Sequence, residues 1–230
     1  MRAPLRIAAA QPVCEPYDVA VNAARHAAAV RAADARVVVF PELSLTGYHL
    51  DAPILDPADP ALAPLVEACA ATGALALAGA PVAGDHIATV AVDGRGARVA
   101  YRKMWLGGSE PRRFSPGAAP RVLDVDGWRL GLAICRDTGV AEHARRTVGD
   151  SVDVYAASVL EDARDATVTD ERALRIATGH RVYVAVASFA GATGEGYTDA
   201  AGRSAIWSPG GTVLVRAGAA TGELARAVLR

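Results

Sequence analysis

An α/β fold, with mixed β-sheets covered by helices in one continuous unit, follows from three features of this 230-residue sequence. Short β-branched or apolar runs outnumber the stretches with helical periodicity. Hairpin turn signals alternate with helices long enough to cross over a sheet. No linker, charge run, low-complexity tract or short-period repeat divides the chain, so residues 1–230 are expected to form a single domain.

The elements follow in order. Leu5–Ala10 is a short apolar run and predicts a buried strand. Asp18–Ala33 is alanine-rich, with apolar residues at helical spacing and arginines opposite, and predicts an amphipathic helix. Arg36–Phe40 (RVVVF) is β-branched and short, hence a strand. Prolines at 53, 57, 60 and 64 make Ala52–Pro64 a loop leading into a helix near Ala61–Thr72, which Gly73 stops. Leu75–Pro81 is another buried strand. His86–Val92 and Ala97–Lys103 flank Asp93-Gly94-Arg95-Gly96, and Val122–Val125 and Arg129–Ile134 flank Asp126-Gly127; both pairs read as hairpins. Gly107–Gly117 is a Gly/Pro-rich loop. Val140–Val148 and Thr169–Gly179 are helical, and Val152–Ala156 and Arg181–Ser188 are strands. Ser204–Ser208 and Thr212–Arg216 form a third hairpin around Pro209-Gly210-Gly211, and Leu224–Leu229 closes a sheet or reaches a partner.

Composition narrows the function. The chain is 52% hydrophobic and 21% charged, with 24 basic and 25 acidic side chains. A net charge of −1 gives no basic excess for nucleic acid or anionic membranes. Aromatics at 5% disfavour base stacking as the main activity. No window approaches the ~18 apolar residues of a membrane span, and the N-terminal apolar run is too short for a secretory signal. Cys14, Cys69 and Cys135 form neither a paired framework nor a CxxC, which fits free thiols in the cytoplasm. The five histidines lack ligand spacing, so no metal is expected. Neither GxSxG nor a phosphate-binding glycine motif occurs, and no cofactor is expected.

One count is more specific. Lys103 is the single lysine among 24 basic residues, in a chain more than a fifth alanine. Where arginine supplies nearly all positive charge, a lone lysine points to a position that needs a compact, titratable ammonium. Chance retention on the surface is the plainer alternative.

Three reactive side chains occupy equivalent places. Glu42 follows the strand Arg36–Phe40, Lys103 ends the strand from Ala97, and Cys135 follows the strand Arg129–Ile134. Carboxyl ends of strands form the ligand crevice in open α/β folds. Together they would supply a nucleophile, a general base and a cation for a developing oxyanion, with the Arg136 N–H as a second donor. Taken singly, Cys135 reads equally as inert packing, Glu42 as a turn cap and Lys103 as a solvated charge. Cys14 and Cys69 read as structural.

At these positions the chain resembles the nitrilase superfamily of carbon–nitrogen hydrolases, over nearly its whole length. RIAAAQ (Arg6–Gln11) is similar to the family's first strand, and VVVFPELSLTGY (Val37–Tyr48) to the segment of the catalytic glutamate, here Glu42. YRKMWL (Tyr101–Leu106) resembles the lysine segment, here Lys103, and EPRRFSPG (Glu110–Gly117) places Glu110 on the second, supporting glutamate. GLAICRDTGVAEHAR (Gly131–Arg145) resembles the nucleophile segment, with Cys135 as nucleophile; ERALRIATGHRVYVAVAS and GRSAIWSPGG resemble later blocks. The resemblance implies a four-layer α-β-β-α sandwich with two mixed β-sheets. It implies a thioester mechanism without metal or organic cofactor. It also implies a homodimer packed through the helices near Val140–Val148 and Thr169–Gly179.

Departures from the family pattern are Ser188, where the family often has Asn, and a chain that stops directly after its last predicted strand. The latter disfavours a swapped C-terminal extension and higher spirals. Arg136-Asp137 stands where true nitrilases usually have Trp-Glu, which disfavours nitriles and favours a small linear amide or carbamoyl substrate. A nitrilase, an acyltransferase and a catalytically silent binding member remain the alternatives. Tyr48, Arg136, Ser158 and Phe189 are the candidate substrate-binding residues, with Glu161 on the same rim, and Asp137 is read as an anchor of the turn. Arg136 either binds a substrate carboxylate in bidentate fashion or faces solvent or Asp137. On the first reading, Arg136→Ala raises KM for acidic amides while leaving neutral ones unchanged; equal effects in a steady-state comparison would refute it.

Overall fold

The computed structural model describes residues 2–149 and 151–230. In chain order the first half comprises β1 (Leu5–Gln11), α1 (Val19–Ala33), β2 (Val37–Val39), α2 (Ala63–Thr72), β3 (Leu75–Val82), β4 (His86–Asp93) and β5 (Gly96–Arg102). The second comprises β6 (Val122–Val125), β7 (Trp128–Ile134), α3 (Ala141–Val148), β8 (Val154–Val159), α4 (Ala166–His180) and β9 (Tyr183–Ser188). A short ribbon of β10 (Ala190–Gly191) and β11 (Ala200–Ala201) follows, then β12 (Ala205–Trp207), β13 (Val213–Arg216) and β14 (Glu223–Leu229).

Two six-stranded mixed sheets result, ordered β14-β1-β2-β3-β4-β5 and β13-β12-β9-β8-β7-β6. They stack face to face, with α1 and α2 outside the first and α3 and α4 outside the second, giving the four-layer α-β-β-α sandwich. The strand sequences explain the layering. Leu5, Ile7 and Ala9 of β1 enter the core between the sheets, while Ala8 and Ala10 pack under the helices. The three valines of β2 divide the same way, Val37 and Val39 inward and Val38 outward. A strand buried on both faces is apolar along nearly its whole length, so these segments read as near-continuous apolar runs, broken in β1 by the exposed Arg6.

The helices are bounded by local chemistry. The Asp18 carboxylate accepts from the Val21 N–H and caps α1. Ala23, His26, Ala27, Val30 and Ala33 then form its buried stripe. Gly73 adopts a left-handed conformation (φ 69°) and ends α2.

Apart from the β10–β11 ribbon, which the sequence reading lacks, the differences from that reading are at element ends. The proline-rich approach forms a single 3₁₀ turn, Pro60–Leu62, before α2 begins at Ala63. The strand read at Val152–Ala156 pairs only from Val154, in register with Leu130, and continues to Val159. The fourth helix is longer than its apolar pattern, and Arg181 caps it in a left-handed conformation (φ 55°) before β9 begins. The last strand closes the first sheet: β14 pairs antiparallel with β1 from Leu5 opposite Leu229 to Gln11 opposite Glu223.

The segment carrying Glu42 is laid directly across β3. Phe40 N–H donates to Leu77 O and Leu45 N–H to Gly79 O, each at 2.9 Å. Gly79 N–H reaches Ser44 Oγ at 3.3 Å, and His26 Nε2 lies 2.9 Å from the same hydroxyl. A Cβ at Gly79 would overlap Leu43 N and lie 2.7 Å from Pro41 O, so only glycine admits this approach. Gly79→Ala is therefore expected to cost about 1–3 kcal/mol by overpacking and to displace Glu42. Thermal melts and activity should fall together, and an unchanged Tm would refute the assignment.

Candidate active site

Strand direction gathers the three reactive groups. β1, β2 and β3 are parallel, β4 reverses and β5 reverses again, so the carboxyl ends of β2 and β5 share one end of their sheet. In the second sheet β7, β8 and β9 are parallel. The turn after β7 is bonded to the end of β5: Tyr101 OH donates to Asp137 Oδ2 at 2.7 Å and Trp105 N–H to Asp137 Oδ1 at 2.9 Å.

Lys103 lies between two carboxylates. Its Nζ donates to Glu42 Oε1 and to Glu110 Oε1, both at 2.6 Å. All three residues are buried. Glu110 stands in a 3₁₀ turn, Glu110–Arg112, and is held by Tyr48 OH at 2.7 Å and Gly107 N–H at 2.8 Å. Glu42 Oε2 is buried without any hydrogen-bond partner, a costly condition for a carboxylate oxygen away from water. Burial, reinforced by the Glu110 and Asp137 charges and only partly offset by Lys103, raises the Glu42 carboxyl to about 8. Burial alone would lower the Lys103 ammonium, but the adjoining carboxyls of Glu42 and Glu110 outweigh it, and the net shift is upward.

Cys135 is half-buried and opens a 3₁₀ turn, Cys135–Gly139. Its φ of 42° is left-handed, a strained conformation for a residue with a side chain. Three contacts hold it: Ile134 N–H donates to Asp137 Oδ2 at 2.9 Å, Thr138 Oγ1 to Cys135 O at 2.6 Å, and the thiol to Leu160 O at 3.5 Å. Burial, then the nearby Glu42 charge, pushes the thiol up, and Lys103 opposes the shift. The resting sulfur is therefore protonated, and its ionisation needs a base.

The remaining predicted residues divide. Tyr48 joins the cluster through Glu110. Arg136 is exposed, with its stem against Gly107. Ser158 and Phe189 are sealed in the core, at 3% and 1% exposure. Glu161 pairs with Arg172 at 2.6 Å and acts on the Cys135 thiol through its charge. Ser188 N–H is taken by Ser204 Oγ at 3.0 Å. Two contributors escaped the sequence reading. Tyr197 packs edge-on against Tyr48, with centroids 5.6 Å apart. Thr193 Oγ1 accepts from Tyr48 N–H at 2.9 Å. Both lie in a loop without periodicity, and no local signal marks them. Among the described residues no group of three or more His, Cys, Asp or Glu side chains is arranged to hold a metal ion, and no helix is long and apolar enough to cross a membrane.

Residues 6–229 match the family model for carbon–nitrogen hydrolases. A relative described as a hydrolase in the pqqF 5′ region of Pseudomonas protegens is 31% identical over 227 residues, 93% of this chain and 79% of its own length. Among solved structures, the NitN amidase of Nesterenkonia sp. AN1 superposes with a TM-score of 0.85 at 23% identity, covering 98% of this chain and 92% of that one. Saccharomyces cerevisiae Nit3, a member of branch 10 of the nitrilase superfamily, gives 0.85 at 22%, with 98% and 90% covered. XC1258 of Xanthomonas campestris, a CN-hydrolase superfamily protein, gives 0.88 at 19%, with 99% and 91% covered. The chain belongs to the carbon–nitrogen hydrolase family and is an enzyme of that class.

The raised Glu42 carboxyl has a thermodynamic consequence. The folded state holds this proton up to about pH 8, against an ordinary value of 4.5. Its contribution to stability is full below pH 4.5 and is lost as pH climbs through 8. Glu42→Gln keeps an acceptor for Lys103 and removes the titration. Its Tm is expected to fall less than wild type between pH 5 and pH 9 in calorimetric scans; parallel slopes would refute the assignment.

Proposed function

We propose that the protein hydrolyses the C–N bond of a small linear amide or carbamoyl compound through a thioester on Cys135. The observation supporting this most directly is the partnerless Glu42 Oε2, buried beside a lysine that is itself pinned by a second carboxylate. Such an oxygen is disposed to accept a proton from a group that arrives or ionises during reaction. Glu42 takes the thiol proton and sulfur attacks the carbonyl carbon. A C–S bond forms, and the carbonyl π pair moves to oxygen. Lys103 Nζ and the Arg136 N–H stabilise that oxyanion. Glu42 returns the proton to the leaving nitrogen, the C–N bond breaks, and ammonia or an amine departs. Water, deprotonated by Glu42, attacks the thioester; the acid leaves and the thiol is restored. Glu110, held by Tyr48, keeps Lys103 in place, and Tyr48 and Arg136 line the entry.

The structural relatives lend support in kind. A cysteine-to-alanine variant of the Nesterenkonia amidase is described in complex with butyramide. The proposal treats residues 1–230 as one catalytic unit, working in the cytoplasm as a homodimer that packs through α3 and α4. Leu174 on α4 and Leu214 on β13, at 48% and 45% exposure, supply apolar area for such a face.

Ammonia release from a panel of short aliphatic amides, carbamoyl compounds and nitriles tests the reading. Cys135→Ala should lose more than about 10⁴-fold in kcat. The kcat/KM of the wild type should rise with pH through about 8, as Glu42 ionises. Turnover of nitriles alone would indicate a nitrilase, and acyl transfer to hydroxylamine without hydrolysis an acyltransferase. No turnover and no acyl adduct on Cys135 by mass spectrometry would leave a binding protein.

A further inference from the structure

Behind the nucleophile turn runs a row of buried polar side chains that the hydrolytic steps leave unused. Tyr155 on β8, His143 on α3, Tyr101 on β5 and Asp137 after Cys135 are all shut off from solvent. Tyr155 OH lies 2.7 Å from His143 Nδ1, His143 Nε2 lies 2.9 Å from Tyr101 OH, and Tyr101 OH lies 2.7 Å from Asp137 Oδ2.

Chemistry gives the row a direction. A carboxylate only accepts, so Tyr101 donates its one proton to Asp137. The Tyr101 oxygen must then accept from His143, which places the imidazole proton on Nε2; it also accepts from Met104 N–H at 3.3 Å. Nδ1 is thereby an acceptor, and Tyr155 donates to it. Burial, with the Arg146 charge added, lowers His143 to about 4, so the ring is neutral near pH 7. Every dipole in the row points toward Asp137, and aligned hydrogen bonds strengthen one another.

Asp137 is where the row meets the site. Its carboxylate also accepts from Ile134 N–H, adjacent to Cys135, and from Trp105 N–H, two residues beyond Lys103. One side chain thus binds the backbone that carries the sulfur and the backbone that carries the ammonium, on different sheets.

We propose that Tyr101 and His143 are positioning residues of this hydrolase, which act through Asp137 to hold the left-handed Cys135 turn in register with Lys103. The inference rests on Cys135 as the nucleophile. Without the Tyr101 hydroxyl, Asp137 loses one of three donors, and the buried His143 Nε2–H loses its 2.9 Å acceptor and keeps only the Thr147 hydroxyl at 3.3 Å. The carboxylate can then rotate, and the strained turn is free to relax.

The test compares Tyr101→Phe, His143→Gln and His143→Leu, with Leu65→Ala in the remote α2 layer as a control for stability. The readouts are the alkylation rate of Cys135 by iodoacetamide, followed by peptide mass spectrometry, then kcat and KM on an amide that the wild type hydrolyses, and Tm. Small misplacements of reacting groups cost about ten- to a hundredfold. Tyr101→Phe and His143→Leu should lose about tenfold or more in alkylation rate and kcat, with KM within about twofold. Gln carries an amide N–H near the Nε2 position and should restore the rate to within about threefold. Leu65→Ala should lower Tm and leave both rates unchanged. Wild-type alkylation in Tyr101→Phe and His143→Leu, or no advantage of Gln over Leu, would overturn the proposal. The His143 pair decides the matter alone where Tyr101→Phe does not fold. Because alkylation needs no turnover, a failure of the hydrolytic reading would show separately, as an unreactive Cys135 or an absence of ammonia in the wild type.

Discussion

The buried ammonium of Lys103, shared by Glu42 and Glu110, is the interaction around which the molecule is arranged. Two ionised carboxylates against one cation would leave an uncompensated negative charge out of water, an expensive condition, and burial instead keeps the Glu42 proton in place up to about pH 8. The fold meets that cost by rigid means. Tyr48 and the Gly107 amide satisfy Glu110, while Ser44, Gly79 and the neutral His26 hold the turn that carries Glu42. What is left unsatisfied is one oxygen of Glu42, whose charge reaches the half-buried sulfur. A local defect in hydrogen bonding at a chemically useful place is the form in which stability is commonly surrendered to function.

The same logic accounts for the two-sheet architecture. The lysine and Glu42 follow strands of one sheet and the cysteine follows a strand of the other, so their spacing depends on how the sheets are docked. The apolar core between them sets the spacing coarsely, through residues such as Ile7, Val39, Leu132 and Ile134. Directional bonds set it finely. Asp137 ties the turn after β7 to the end of β5. Gln11 bridges from β1 to the Ser204 amide at 3.0 Å and to the Gly218 and Ala220 carbonyls. Dispersion and hydrophobic contact are non-directional and tolerate small slips; a carboxylate with three donors does not.

Much of this was legible in the sequence. A solitary lysine in an arginine-rich chain marked Lys103, and the ends of three predicted strands marked Glu42, Lys103 and Cys135. The short apolar runs and Gly-containing turns located most strands to within two residues. The misplaced boundaries lay where a helix cap or a pairing partner outweighs local propensity, as at Arg181 and Val154. Ser158 and Phe189 read as rim residues because they stand at or just past strand ends; both are buried, as Glu42 and Lys103 are. Side-chain direction at the last residue of a strand depends on which sheet lies opposite, and no local pattern records that.

The amino-acid order by itself determined the alternation of strands and crossover helices, because that depends on short-range periodicity, and its ordered motifs carried the resemblance that singled out Glu42, Lys103 and Cys135. Only the tertiary structure decided that Glu42 keeps an orphaned oxygen, that Tyr197 closes on Tyr48 and that His143, Tyr101 and Asp137 align behind the sulfur. Those features join residues tens to more than a hundred positions apart, and their geometry exists only once two sheets have packed.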